Sequence, residues 1–186
     1  MQPDRFTIKA QEAVQAAQQL AQERSHQQLD AEHLAMALIR QEDSLIPQLL
    51  QRLGVPLQPL TTDLEAELGR RAKVHGSAQV YPTSEFQAVL AGAEAEARKL
   101  HDEFVSTEHL FLALLDKGTS KLKAILQKHG IRRDALMKTL ADVRGNQRVT
   151  DQNPEDKFQA LEKYGKDLTA LARAGKIDPV IGRDDE

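Results

Sequence analysis

The sequence, 186 residues long, contains no cysteine and no tryptophan, and aromatic residues make up only 4% of it. Without a thiol there is no disulfide, no thiolate zinc or iron–sulfur centre and no cysteine nucleophile. Long apolar runs are missing too. None exceeds six residues, the length of Leu110 to Leu115, against the roughly 20 needed to span a bilayer. The start, Met1-Gln-Pro-Asp-Arg5, has no apolar stretch behind it of the kind a secretory signal needs. An excess of positive charge is also absent: 25 basic and 28 acidic residues leave a formal net charge of −3, the wrong sign for a dedicated nucleic-acid binder. These absences predict a soluble, cytoplasmic chain whose partners are neither membranes nor nucleic acids.

Catalytic signatures are missing as well. No G-x-S-x-G, H-E-x-x-H or G-x-x-x-x-G-K-[ST] segment occurs. The six histidines (26, 33, 75, 101, 109 and 129) include no i,i+4 pair, so a metal site would have to be assembled across helices. Nothing in the segment points to catalysis, a metal or a cofactor.

Charge and composition divide the chain. Residues 1–149 hold 19 acids and 19 bases, whereas 150–186 hold nine acids and six bases, so the whole net charge lies in the last fifth. From Gly145 to Lys157 the only aliphatic or aromatic residue is Val149. Such a stretch gains little by packing and reads as a linker, 145–157, after a domain of residues 1–144. As a flexible tether of about 12 residues it would reach ~20 Å. Beyond it, Phe158, Leu161, Leu168 and Leu171 are spaced as on one helix, from Lys157 to about Ala174.

What is present is a repeat. Shifting the chain by 76 positions aligns Thr7–Leu64 with Thr83–Leu140 without a gap, with 15 identities over 58 positions. The triplet Glu32-His33-Leu34 falls on Glu108-His109-Leu110, and Gly54 on Gly130. Each copy, about 1–72 and 83–144, reads as four short helices. Apolar residues at three- and four-residue spacing mark the first (Ala10, Ala13, Val14, Ala17, Leu20, Ala21). Thr7 and Thr83 suit the N-caps of the first helices, Asp30 and Ser106 those of the second, and Ser44 and Ser120 those of the third. Gly54 and Gly130 suit the stops of the third helices. The fourth helices are expected over Pro59–Arg71 and Asp134–Arg144. A single copy buries little surface alone, so the two are expected to pack as one pseudo-twofold, all-α domain.

The Glu-His-Leu pair is the sharpest local feature. A carboxylate in a first helical turn is stabilised by the helix dipole, by about 0.3–1 kcal/mol. The functional alternative is that Glu32 and Glu108 each rim a groove and accept hydrogen bonds from a bound polypeptide or cation.

A duplicated four-helix unit with Glu-His-Leu at its second helix resembles the Clp N-terminal domain of Clp-type AAA+ unfoldases. The run Ala174-Gly-Lys-Ile-Asp-Pro-Val-Ile-Gly-Arg-Asp-Asp-Glu186 is similar to the start of their first ATPase domain, and the linker is closest to the disaggregase branch. The resemblance implies a hexameric parent that uses ATP and magnesium and works with a DnaK-type chaperone on unfolded or aggregated polypeptides. A protease-feeding unfoldase that docks adaptors, or a purely structural helical module, are the alternatives. It implies that the phosphate-binding loop lies past Glu186, so this segment is no enzyme by itself. It also assigns Val180, Ile181, Gly182 and Arg183 to an adenine pocket, and Thr7, Asp102 and Glu108 to substrate handling. Glu32 and Glu108 match the carboxylates that bind phosphorylated arginine in one Clp branch, as a guanidinium-derived ligand suits. Finally, it implies a substrate groove on the first two helices of the second copy, made more polar here by Gly92, Glu96 and His109.

Overall fold

The computed structural model describes residues 3–76, 79–145 and 147–154. Its elements are α1 (Ile8–Glu23), β1 (Gln28–Leu29), α2 (Ala31–Arg40), α3 (Leu45–Arg52), α4 (Leu57–Gly69), β2 (Tyr81–Pro82), α5 (Ser84–Lys99), α6 (Thr107–Lys117), α7 (Ser120–Lys128) and α8 (Arg133–Arg144). Among the described residues the chain is therefore all-α apart from a short 3-10 turn at Pro3–Arg5 and the two-residue strands, with four helices per copy as the repeat requires.

Local chemistry explains the helix ends. Thr7 and Thr83 accept hydrogen bonds from the N–H groups of Ala10 and Phe86, both at 3.1 Å, and so cap α1 and α5. Gly54 and Gly130 follow α3 and α7 at φ +77° and +76°, a left-handed turn that costs glycine nothing. One cap differs from expectation. The N-cap of α7 is Thr119, not Ser120, because the Thr119 hydroxyl accepts from the Leu122 N–H and also donates to Glu32 at 2.9 Å. A serine one residue later has neither partner within reach and becomes the first helical residue.

The core is built around α2 and α6. All of Thr107–Leu114 is buried, as is every residue of Ala31–Ile39 except Ala37. Helix α1 contributes only alanines to the fully buried set (Ala10, Ala13, Ala17, Ala21), which lets it lie close against α2. Across the copies α3 meets α8 and α4 meets α7, one contact and its symmetry mate.

The lead-in to each copy pairs with the other copy. Tyr81–Pro82 lies parallel to Gln28–Leu29, while Phe6 bridges Val105. Shifting Phe6 and Leu29 by 76 positions gives Pro82 and Val105, so the two pairings are the same interaction repeated. The halves are interlocked rather than laid side by side.

The expected tether is corrected over its first half. Val149 is completely buried, its carbonyl accepts from the Glu103 N–H at 2.8 Å and its own N–H donates to Asp102 at 2.9 Å. The Gln152 carbonyl then accepts from the Ile8 N–H at 2.9 Å. One aliphatic side chain among polar neighbours is sufficient when main-chain groups supply the rest. The expected helix over 157–174 lies outside the described residues.

Two buried carboxylate clusters as the candidate functional site

Each copy sinks its Glu-His pair into the core, at the start of α2 or α6. In both, a histidine occupies the third helical position, where a capping box more often has Glu or Gln. His33 Nδ1 accepts from the Asp30 N–H at 3.0 Å, and His109 Nδ1 from the Ser106 N–H at 2.8 Å. That fixes the proton of each neutral ring on Nε2. What Nε2 meets then separates the copies. Position 26 is a histidine, and His33 Nε2 donates to His26 Nδ1 at 2.9 Å. The equivalent position 102 is an aspartate, and His109 Nε2 donates to its Oδ2 at 2.7 Å.

An arginine from the end of each copy closes its cluster. Arg71 meets Asp30 and Glu32, both at 2.6 Å. Arg144 meets Asp102 at 2.5 Å and Glu108 at 3.6 Å. Burial pushes the Glu32 carboxyl above its ordinary value, although Arg71 opposes this. Burial also pushes on Asp30, but hydrogen bonds from Arg71, the Ala31 N–H and Thr83 outweigh it and hold that carboxyl low. For Asp102, burial is outweighed by His109, Arg144 and the Val149 N–H, which bring it to about 2.

Chemically these are closed sites. Ser106, His109 and Asp102 lie in a hydrogen-bonded row, with Ser106 Oγ 3.1 Å from His109 Nδ1. The Ser106 hydroxyl donates to Glu108 and His109 Nδ1 already takes a main-chain proton, so the histidine is not free to act as base toward the serine. All three side chains are buried away from any substrate. Among the described residues no group of His, Asp and Glu could hold a metal ion.

The candidate residues of the sequence fall as follows. Glu32 and Glu108 are buried rather than on the rim of a groove, and each cluster already contains a guanidinium from this chain. Thr7 is a buried cap whose N–H donates to the Val105 carbonyl at 2.8 Å. Asp102 and Glu108 share Arg144, which brings two of the three substrate-handling candidates into one network. In the expected groove, a side chain on Gly92 would meet the Lys117 stem at 3.2 Å, Glu96 is tied to Arg133 by two bonds of 2.6 and 2.8 Å, and His109 points inward. Val180–Arg183 lie outside the described residues. Sequence reasoning missed Arg71, Arg144 and Val149. The repeat offset carries Arg71 onto Gln147, so the internal alignment hides the equivalence of the two arginines.

The histidine pair makes stability depend on pH. Burial, then the His26 ring and Arg71, lower the His33 pKa to about 4; burial, then Arg71, lowers that of His26. An unfolded histidine titrates near 6.5, so below that pH the unfolded state binds the extra protons. The contribution is complete above about pH 6.5 and fades as pH falls toward about 4. Asp102 acts in a lower window, its contribution fading from about 3.8 down to about 2. Urea midpoints taken from pH 7.5 to 4.5 should therefore fall in the native chain and fall less in His33→Gln. Parallel curves would exclude the pair as the source.

Comparison with known proteins follows from the fold. The family model described as the Clp repeat (R) N-terminal domain matches residues 5–129. "Chaperone protein ClpB" of Nitratidesulfovibrio vulgaris is 46% identical over 187 residues, 98% of this chain and 22% of that protein. "Chaperone protein ClpB" of Bacillus cereus strain ATCC 14579 is 43% identical over 190 residues, all of this chain and 22% of that protein. The chain thus spans about a fifth of the relatives it matches. Among solved structures, the Hsp104 N-terminal domain of Candida albicans superposes with a TM-score of 0.72 at 22% identity, covering 81% of this chain and 98% of that one. A ClpV N-domain in complex with a VipB peptide superposes with a TM-score of 0.59 at 20% identity, covering 74% and 85%. No helix among the described residues is long and apolar enough to cross a membrane.

Proposed function

The chain belongs to the Clp repeat N-terminal domain family, and on that premise we propose that it is the polypeptide-engaging N-terminal module of a ClpB-like, ATP-driven chaperone. The observation that carries this is the 46% identity to a chaperone ClpB over 98% of the chain, which extends past the matched domain into the linker and tail. In this reading Val180–Arg183 contribute to the adenine pocket of the parent's first ATPase domain, which uses ATP and magnesium. The parent works as a hexamer in the cytoplasm, with a DnaK-type system, on aggregated or unfolded polypeptides. A ClpV N-domain in complex with a VipB peptide is one protein of this fold that holds a peptide, which supports the reading.

The clusters fit a scaffolding part in that function. Each cluster pairs its two buried carboxylates with one guanidinium from within, so the module meets its clients through surface features while the clusters hold the two copies in shape. A phosphorylated arginine would have to displace Arg71 or Arg144 before reaching Glu32 or Glu108.

The direct test is capture of an unfolded protein. The isolated chain should bind reduced, carboxymethylated casein saturably in fluorescence anisotropy and slow the aggregation of a heat-denatured enzyme. Removing residues 1–144 from the parent should lower disaggregation while leaving basal ATP turnover. Absence of casein binding, with full disaggregation by the truncated parent, would overturn the reading.

A further inference from the structure

Residues Gln147–Gln152 are held in a way the rest of the linker composition gives no reason to expect. Their seat has four parts. The side chain of Val149 is wholly buried, in a stretch with no other aliphatic residue. The Val149 carbonyl accepts from the Glu103 N–H, and the Val149 N–H donates to Asp102 Oδ1. Three residues on, the Gln152 carbonyl accepts from the Ile8 N–H at the start of α1.

The carboxylate is the informative part. Asp102 has no exposed side-chain surface, and keeping an ionised group there is unfavourable unless every lone pair is used. Arg144 and the Val149 N–H share Oδ1, and His109 takes Oδ2. The corresponding position of the first copy shows that the arrangement is not a by-product of the fold. There position 26 is a histidine turned to His33, and the chain leaving α4 returns to main-chain carbonyls of the loop, Ser25 accepting from the Val74 N–H and Gln27 from the Tyr81 N–H, both at 2.8 Å. At this position only the second copy carries a carboxylate, and it is that side chain which accepts a main-chain N–H.

We propose that the loop bearing Asp102 and Glu103, with the Ile8 N–H, is a receptor for one polypeptide segment carrying an aliphatic residue between polar ones, and that residues 147–152 of this chain fill it in cis. Main-chain groups at Val149 and Gln152 give hold, and one buried side chain gives selectivity. The side chain the receptor takes is aliphatic, since Val149 is wholly buried as part of the hydrophobic core. Beside Val149, the segment's own Gln147 and Arg148 share with Leu100, Met137, Leu140 and Arg144 the lining of a cavity of about 420 Å³, so only one side chain of the segment is anchored in the core. One buried side chain and three main-chain bonds are set against the ordering of six residues, terms of similar size. The seat is therefore exchangeable. This inference rests on geometry alone and does not depend on the chaperone reading.

Hydrogen exchange on the whole chain, read by amide NMR, tests it in two steps. Val149→Asp should free the segment and speed exchange at Glu103 and Ile8 at least tenfold, while amides within α6 keep their native rates. A synthetic peptide Gln-Arg-Val-Thr-Asp-Gln-Asn-Pro, added to that variant, should restore protection at Glu103 and Ile8 in a saturable way. The same peptide with aspartate for valine should not. Unchanged rates at Glu103 and Ile8 in Val149→Asp would overturn the seat. Freed amides that neither peptide protects would overturn the receptor, as would equal protection by both peptides.

Discussion

Replacing Arg144 with methionine is expected to destabilise the chain by about 3–5 kcal/mol, the usual cost of stripping one partner from a buried ion pair. Its guanidinium is 6% exposed and is the positive charge that faces both Asp102 and Glu108. Glu108 Oε2 has no hydrogen bond among the described residues and faces Arg144 at 3.6 Å, so Arg144 is the cation that offsets its charge. Methionine preserves the apolar bulk of the stem, and the loss will therefore report charge rather than packing. Urea denaturation at pH 7 measures it. Combining Arg144→Met with Glu108→Gln should recover part of the loss, since the neutral amide needs no counter-charge. Arg71→Met should cost less, because Arg71 is 22% exposed and water can enter behind it. A loss below about 1 kcal/mol for Arg144→Met would refute the account.

Phe6→Ala is expected to cost about 3–5 kcal/mol as well, for a different reason. Phe6 is completely buried and lies in the lead-in that bridges to Val105, between the Val105 N–H to Arg5 carbonyl bond of 2.9 Å and the Thr7 N–H to Val105 carbonyl bond of 2.8 Å. Its symmetry mate, Pro82, is exposed, and Pro82→Ala should change stability by no more than about 0.5 kcal/mol. Thermal unfolding of the two variants side by side checks the contrast. Equal effects would mean that the two lead-ins are held alike by main-chain bonds and that the Phe6 side chain contributes little.

Much of this architecture was legible in the residues because it is local. Helix periodicity, the threonine caps and the left-handed glycines depend on neighbours within about four positions, and the repeat offset transferred each reading to the second copy. The arginines were not legible, since their partners are 41 or 42 residues away for Arg71–Asp30 and Arg144–Asp102 and the offset does not align them. The lead-in pairings were hidden for the same reason: Phe6 and Pro82 share no chemistry, although their main chains do the same thing. For Glu32 and Glu108 the residue type leaves open a first-turn role at the helix dipole and a place on the rim of a groove. A carboxylate goes inside when a guanidinium arrives from elsewhere, and that arrival is a tertiary fact. Val149 shows the opposite limit, a lone aliphatic that composition discounts and main-chain bonding makes sufficient.

The crossed lead-ins carry a consequence for origin. A gene encoding one copy would yield a chain whose first residues have no loop of their own to pair with, because in each half that loop belongs to the other. Two such chains would satisfy one another by exchanging their N-terminal segments about a true two-fold axis, forming an isologous dimer. Fusion of two such genes would tie the dimer into one polypeptide and free each half to diverge, with His26 on one side and Asp102 on the other. By this route the present domain is an ancient homodimer, and the stretch between α4 and β2 is the suture.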